Sequence, residues 1–107
     1  MTEPALSADQ RARAIAILTA VLPPAARVFV FGSRATARAG RFSDLDLAID
    51  AGRALSADEH ATLAEAFEES DLPFRVDLLD CATADPAFRA RIARDWVPLC
   101  PAAGMQA

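Results

Sequence analysis

Gly32 and Ser33 are followed by ten residues and then the triplet Asp44-Leu45-Asp46, and a further acid, Asp77, stands in the later apolar run Phe74 to Leu79. A glycine at the end of a strand lets the chain turn sharply, and the residues after it open a helical turn whose N–H groups favour an anion. The Ser33 hydroxyl adds a hydrogen bond for a phosphate oxygen, and Arg34 adds a permanent charge with forked donors. Asp44 and Asp46 alternate along a strand, so they share one face and repel each other unless a cation lies between them. With oxygen ligands only, that cation is a hard one such as Mg²⁺, which takes one or two carboxylates together with substrate phosphates. Asp77 can complete a set of three carboxylates, as two-metal phosphoryl or nucleotidyl transfer requires, with ions about 3.5–4 Å apart. Asp80 is the alternative third acid, and its opposite parity on the same strand counts against it.

The charge pattern suits a small anionic ligand better than a nucleic-acid backbone. Net charge is −4 and the isoelectric point about 4.8, which argues against direct nucleic-acid binding. Four arginines (Arg27, Arg34, Arg38, Arg41) and no acid occupy residues 27–41, whereas eight acids face only Arg75 between Asp58 and Asp80. The chain has no lysine, so every strong cation is a guanidinium. Cys81 and Cys100 lack metal-ligand spacing and are expected as reduced thiols. His60 is the only histidine and falls on a helix surface, so neither a zinc site nor a serine triad is expected. Asp50 is read as a strand-end acid and Arg89, Arg91 and Arg94 as a solvated basic face, with Phe88 and Trp96 in the core.

The elements that must position these residues follow from capping and periodicity. At 107 residues and 11.4 kDa, the chain is expected to be one domain over 1–107, with its core at about 27–99 and a frayed tail from Pro101. Ser7 with Gln10 forms a capping-box pattern ahead of Ile15, Leu18, Val21 and Leu22, and Pro23-Pro24 stops that helix. Strands are predicted at Arg27 to Phe31, Asp44 to Asp50 and Phe74 to Leu79, with a short helix at Arg34 to Ala39. Ser56 with Glu59 opens a second helix running to about Glu69, and Asp85 before Pro86 opens a third with Phe88 and Ile92 inward. Trp96 to Leu99 is a last extended piece. The order αβαβαβα predicts an α/β (α+β) fold, a small mixed sheet backed by helices with strands one and two antiparallel. No run reaches the ~20 apolar residues of a membrane span and the N-terminus is no signal peptide, so a cytoplasmic protein with no membrane contact is expected.

The string GSRATARAGRFSDLDLAID with the later RVDLLD resembles the GS-x10-DxD…D signature of the polymerase-β-type nucleotidyltransferase superfamily, and in particular its smallest members, the MNT proteins. A chance match to G-S-x10-D-x-D is on the order of 10⁻⁵ per start position, so the motif is specific. The resemblance covers about Arg27 to Leu99 and implies the nucleotidyltransferase fold. It also implies a role as antitoxin to a HEPN-domain RNase toxin, with AMP transferred from ATP onto a toxin hydroxyl, a tyrosine in some pairs. By that resemblance Gly32, Ser33 and Arg34 bind the nucleotide phosphates. Asp44, Asp46 and Asp77 bind Mg²⁺, two ions in all, and Asp77 is the base for the attacking hydroxyl. The sequence departs from the family pattern between Thr36 and Phe42, where Ala37 replaces a second glycine of many members. The chain has no tyrosine, so a tyrosine acceptor lies on a second protein; serine and threonine acceptors stay open. Two alternatives are an antitoxin that inhibits by binding alone and a transferase acting on a small molecule, the latter usually needing a further domain to hold its acceptor.

Overall fold

The computed structural model describes residues 6–36, 40 and 43–100. Helix α1 spans Ala8–Val21, and its capping box is closed: the Ser7 hydroxyl accepts from the Gln10 amide at 3.1 Å while the Gln10 side chain accepts from the Ser7 amide at 3.0 Å. The chain then enters strand β1, Arg27–Phe31, a 3-10 turn at Gly32–Arg34, and strand β2, Leu45–Asp50. Helix α2, Ala57–Glu68, carries the second capping box on Ser56 and Glu59. Strand β3, Val76–Asp80, helix α3, Pro86–Ala93, with Asp85 as N-cap, and strand β4, Val97–Cys100, complete the order. No described helix is long and apolar enough to cross a membrane.

The four strands lie in the order β3-β2-β1-β4. β1 pairs antiparallel with β2 and β4, while β2 pairs parallel with β3 across the connection that α2 supplies. Alternation sends Val28, Val30, Leu45, Leu47 and Ile49 to one face, where they are fully buried with Leu18 of α1 and Leu63 of α2. The opposite face carries Phe29, Phe31, Asp46 and Asp77, and α3 lies against it. The mixed sheet with helices is the expected fold.

Four local expectations differ from the structure. β2 begins at Leu45 rather than Asp44, so Asp44 stands just outside the strand expected to carry it beside Asp46. The helix expected from Arg34 to Ala39 is replaced by the 3-10 turn Gly32–Arg34, and residues 37–39 lie outside those described, as do Arg38, Arg41 and the tail from Pro101. β3 begins at Val76 rather than Phe74, because its ladder partner β2 begins at Leu45, opposite Val76, and Phe74 is buried beneath the Arg34 guanidinium instead. Phe88 and Trp96 are only half-buried, since among the described helices only α3 lies against that face of the sheet, and it contributes no buried residue. Instead, Trp96 stacks on Phe29 with centroids 4.1 Å apart, and Phe88 meets Phe31 edge-on at 6.4 Å.

The α2 cap makes an acid-stability prediction. Arg53 grips Glu59 with two bonds of 2.7 and 2.8 Å, and the Glu59 carboxylate also accepts from the Ser56 amide at 2.9 Å. The Arg53 bonds first, then the Ser56 amide, pull the Glu59 carboxyl down to about 2. A carboxyl lowered in the folded state stabilises fully above its unfolded value of 4.5 and loses that contribution as pH falls through about 2. Glu59→Gln keeps an acceptor for Ser56 and loses the ion pair. In denaturant melts the variant should therefore be less stable than the parent at neutral pH and converge with it near pH 2; a gap that persists unchanged into acid would reject the assignment.

Candidate active site

β1 ends at Phe31, and Gly32 turns the chain with φ of +76°, a left-handed conformation that side chains rarely adopt. Its missing side chain also makes room: a Cβ on Gly32 would stand 2.5 Å from the Asp46 carboxylate. The corner then closes as a 3-10 turn, with the Ala35 amide donating to the Gly32 carbonyl at 3.1 Å and the Thr36 amide to the Ser33 carbonyl at 3.3 Å. Beside it opens a depression of about 460 Å³ whose lining includes Gly32, Ser33 and Thr36 together with Phe31, Phe88 and Arg91.

The acids meet through the sheet. Asp46 of β2 is the register partner of Asp77 on β3, and parallel pairing points both side chains to the face away from the core. Asp44 sits just before β2. Burial, then the negative charges of Asp77 and Asp44, push the Asp46 carboxyl above the usual carboxylate range. The described residues do not form a closed cluster of three ready ligands; they form a facing pair with the third acid near enough to act on one member. This donor set, all carboxylate oxygen and mutually repulsive, fits a hard divalent cation.

Other candidates resolve as structural groups. Asp80 accepts from the Leu55 amide at 2.8 Å and the Ala82 amide at 3.0 Å, holding the ends of two loops. Asp50 pairs with Arg27 at 3.1 Å and accepts from the Gly52 amide at 3.2 Å. His60 is exposed on α2, and burial pushes the Cys81 thiol up, away from a reactive thiolate. Arg34 differs from expectation most. Only 5% exposed, it donates from Nε and Nη2 to the Ser43 carbonyl at 3.1 and 2.9 Å and lies over the Phe74 ring at 4.1 Å. Loss of hydration lowers its pKa. The guanidinium thus faces into the protein, onto the Ser43 carbonyl and the Phe74 ring.

Sequence reasoning passed over Phe31, Thr36, Phe88 and Arg91 as neighbours of the Gly-Ser corner. The parity of Phe31 against buried Val28 and Val30 was the available signal, since it sets the ring on the same face as Asp46. Arg91 lies over the Phe88 ring at 5.5 Å as its neighbour three residues along α3, and the edge contact of Phe88 with Phe31 brings both to the corner.

Comparison with known proteins agrees with this geometry. The family model described as "Polymerase beta, Nucleotidyltransferase" matches residues 16–101. The chain is 44% identical over 92 residues to the probable protein adenylyltransferase MntA of Haemophilus influenzae, covering 83% of this chain and 81% of that protein. A crystal structure of a toxin–antitoxin with AMP-PNP superposes with a TM-score of 0.72 at 25% identity, over 85% of this chain and 73% of the other. The fold is also shared, with a TM-score of 0.65 at 22% identity over 85% and 69% of the two chains, by a structure of a tri-AMPylated Shewanella oneidensis HEPN toxin in complex with MNT antitoxin. A family match over most of the chain, with a relative 44% identical over four fifths of both chains, shows that this protein belongs to the polymerase β-type nucleotidyltransferase family.

Proposed function

We propose that this protein is a Mg²⁺-dependent adenylyltransferase that moves AMP from ATP to a hydroxyl, a tyrosine in the leading case, of a partner HEPN-family toxin and thereby acts as its antitoxin. The observation that carries this reading is the Asp46–Asp77 pair facing across parallel strands, beside the Gly32-Ser33 corner and preceded by Asp44. Its likeness to MntA and to a toxin–antitoxin structure holding AMP-PNP supports the donor and the kind of partner. Asp44, Asp46 and Asp77 are the residues to hold two Mg²⁺ ions, which when bound supply charge neutralisation at the phosphates. Gly32 admits the Asp46 carboxylate to the corner, and the Ser33 hydroxyl donates to a phosphate oxygen. Asp77, the exposed member of the pair, takes the proton of the incoming hydroxyl. The hydroxyl oxygen then bonds to the α-phosphorus as the bond to pyrophosphate breaks, and pyrophosphate leaves. A chain with no tyrosine puts a tyrosine acceptor on the partner. ATP as donor makes the cytoplasm the compartment of action.

The test mixes the purified protein with its HEPN partner, ATP and Mg²⁺ and reads the intact mass of both chains. One or more AMP units should appear on the partner and be absent with Asp44→Ala/Asp46→Ala. A stable complex with no mass gain on either chain would replace catalysis with inhibition by binding, and AMP appearing only on added small molecules would replace the protein acceptor.

A further inference from the structure

Asp44 lies just outside β2, so its place depends on the backbone groups flanking it. On one side, the Ser43 carbonyl accepts two bonds from Arg34, at 3.1 and 2.9 Å. On the other, the Leu45 amide donates to the Arg75 carbonyl at 2.8 Å, one residue before β3. Ser43 is also tied to Gly40, its amide donating to the Gly40 carbonyl at 3.3 Å and its hydroxyl accepting from the Gly40 amide at 2.8 Å. Because a peptide unit is planar, holding the Ser43 oxygen also orients the nitrogen from which Asp44 continues.

The Arg34 side chain reaches all three parts of the site. Its backbone belongs to the 3-10 turn of Gly32 and Ser33, its guanidinium grips the Ser43 carbonyl just before Asp44, and its Cζ lies over the ring of Phe74, 4.1 Å from the centroid, where the chain leads into β3 and Asp77. A charge this far from water is costly unless its donors are met and its face covered, so the buried placement selects one arrangement of these segments over looser ones.

We propose that Arg34 is a positioning residue for the transferase: by holding the Ser43 carbonyl while its guanidinium rests over the Phe74 ring, it keeps Asp44 in place relative to Asp46 and Asp77. The activity part of this inference rests on the adenylyltransferase reading, while its binding part does not.

The experiment compares the full chain with Arg34→Lys, which keeps the charge but replaces the planar fork by a point donor unable to repeat both bonds and the stacking. Mn²⁺ is titrated, with and without AMP-PNP, following free Mn²⁺ by electron paramagnetic resonance, and transfer kinetics are measured with the HEPN partner. Mn²⁺ affinity without nucleotide and kcat should each fall about 10-fold, the usual effect of losing a group that orients a ligand. KM for ATP should stay within about twofold, since no ground-state contact with nucleotide is removed. A rise in KM with Mn²⁺ affinity and kcat unchanged would return Arg34 to the phosphates, and no change in any of the three would overturn the proposal. Should Arg34→Lys fail to melt cooperatively, Phe74→Leu removes the ring face and leaves both hydrogen bonds; it should weaken Mn²⁺ binding in the same direction, and unchanged affinity there would also overturn it. The Mn²⁺ titration needs no acceptor, so a parent protein that binds Mn²⁺ but transfers nothing counts against the function and leaves the role of Arg34 decided by binding.

Discussion

Asp46→Asn should abolish AMP transfer and at the same time raise the melting temperature of the metal-free protein by a few degrees at neutral pH. Burial, then the neighbouring charges of Asp77 and Asp44, raise the Asp46 carboxyl, so its ionised form is less stable in the folded chain than in the unfolded one. That cost is fully present above the folded-state pKa and absent below the ordinary value of 3.8. Asparagine removes the charge, keeps the shape, and can donate to Asp77 across the strand pair. The advantage of the variant should therefore shrink as pH falls through the raised Asp46 pKa. Adding Mg²⁺ with AMP-PNP should reverse the order, raising the melting temperature of the parent much more than that of the variant. Calorimetry at several pH values, with and without Mg²⁺, checks this. A variant that melts below the parent at neutral pH without metal would show that the carboxylate stabilises the free protein and that the acids are not held against their repulsion.

Gly32→Ala should instead lose both stability and activity. At φ of +76° a side chain costs about 1–2 kcal/mol, enough to lower the melting temperature by roughly 4–8 °C or more in a domain of this size. The new Cβ would also fall 2.5 Å from the Asp46 carboxylate, and of the two the flexible carboxylate is the group that moves. Displacing a reacting group by about 1 Å can cost on the order of 10²-fold in rate, so transfer should fall at least that far. A melting temperature lowered with transfer intact would show that Asp46 does not need its present place. Asp46→Asn and Gly32→Ala thus separate two properties of one contact: removing the charge relieves the fold, and crowding it strains the fold, while either change disables the site.

The local parts of the site were legible because their chemistry is local. A glycine at a strand end with a serine after it declares a turn within a few residues, and the spacing from there to Asp44 and Asp46 carried the family resemblance. The capping boxes at Ser7 and Ser56 likewise begin helices where expected, since each is closed within three residues. Asp77 and Asp80 needed more. Their parity favoured Asp77, but only the register of β3 against β2 sets Asp77 opposite Asp46 and leaves Asp80 to receive the Leu55 and Ala82 amides.

Arg34, Phe88 and Trp96 show where local reading ends. An arginine after Gly-Ser reads as an exposed phosphate contact, yet the fold buries it, because Ser43 and Phe74, remote in sequence, together meet its donors and cover its face. Phe88 and Trp96 read as core from their side chains, yet one short helix cannot close its side of a four-stranded sheet, and both stay half-exposed. The sequence by itself determined the three α-helices, the central strands, the Gly-Ser corner and the place of Asp46 on β2, since these depend on capping, turn chemistry and the period of a strand. Tertiary structure alone decided that Asp77 stands opposite Asp46 and where the Arg34 guanidinium points, because strand register and burial are properties of segments far apart in the chain.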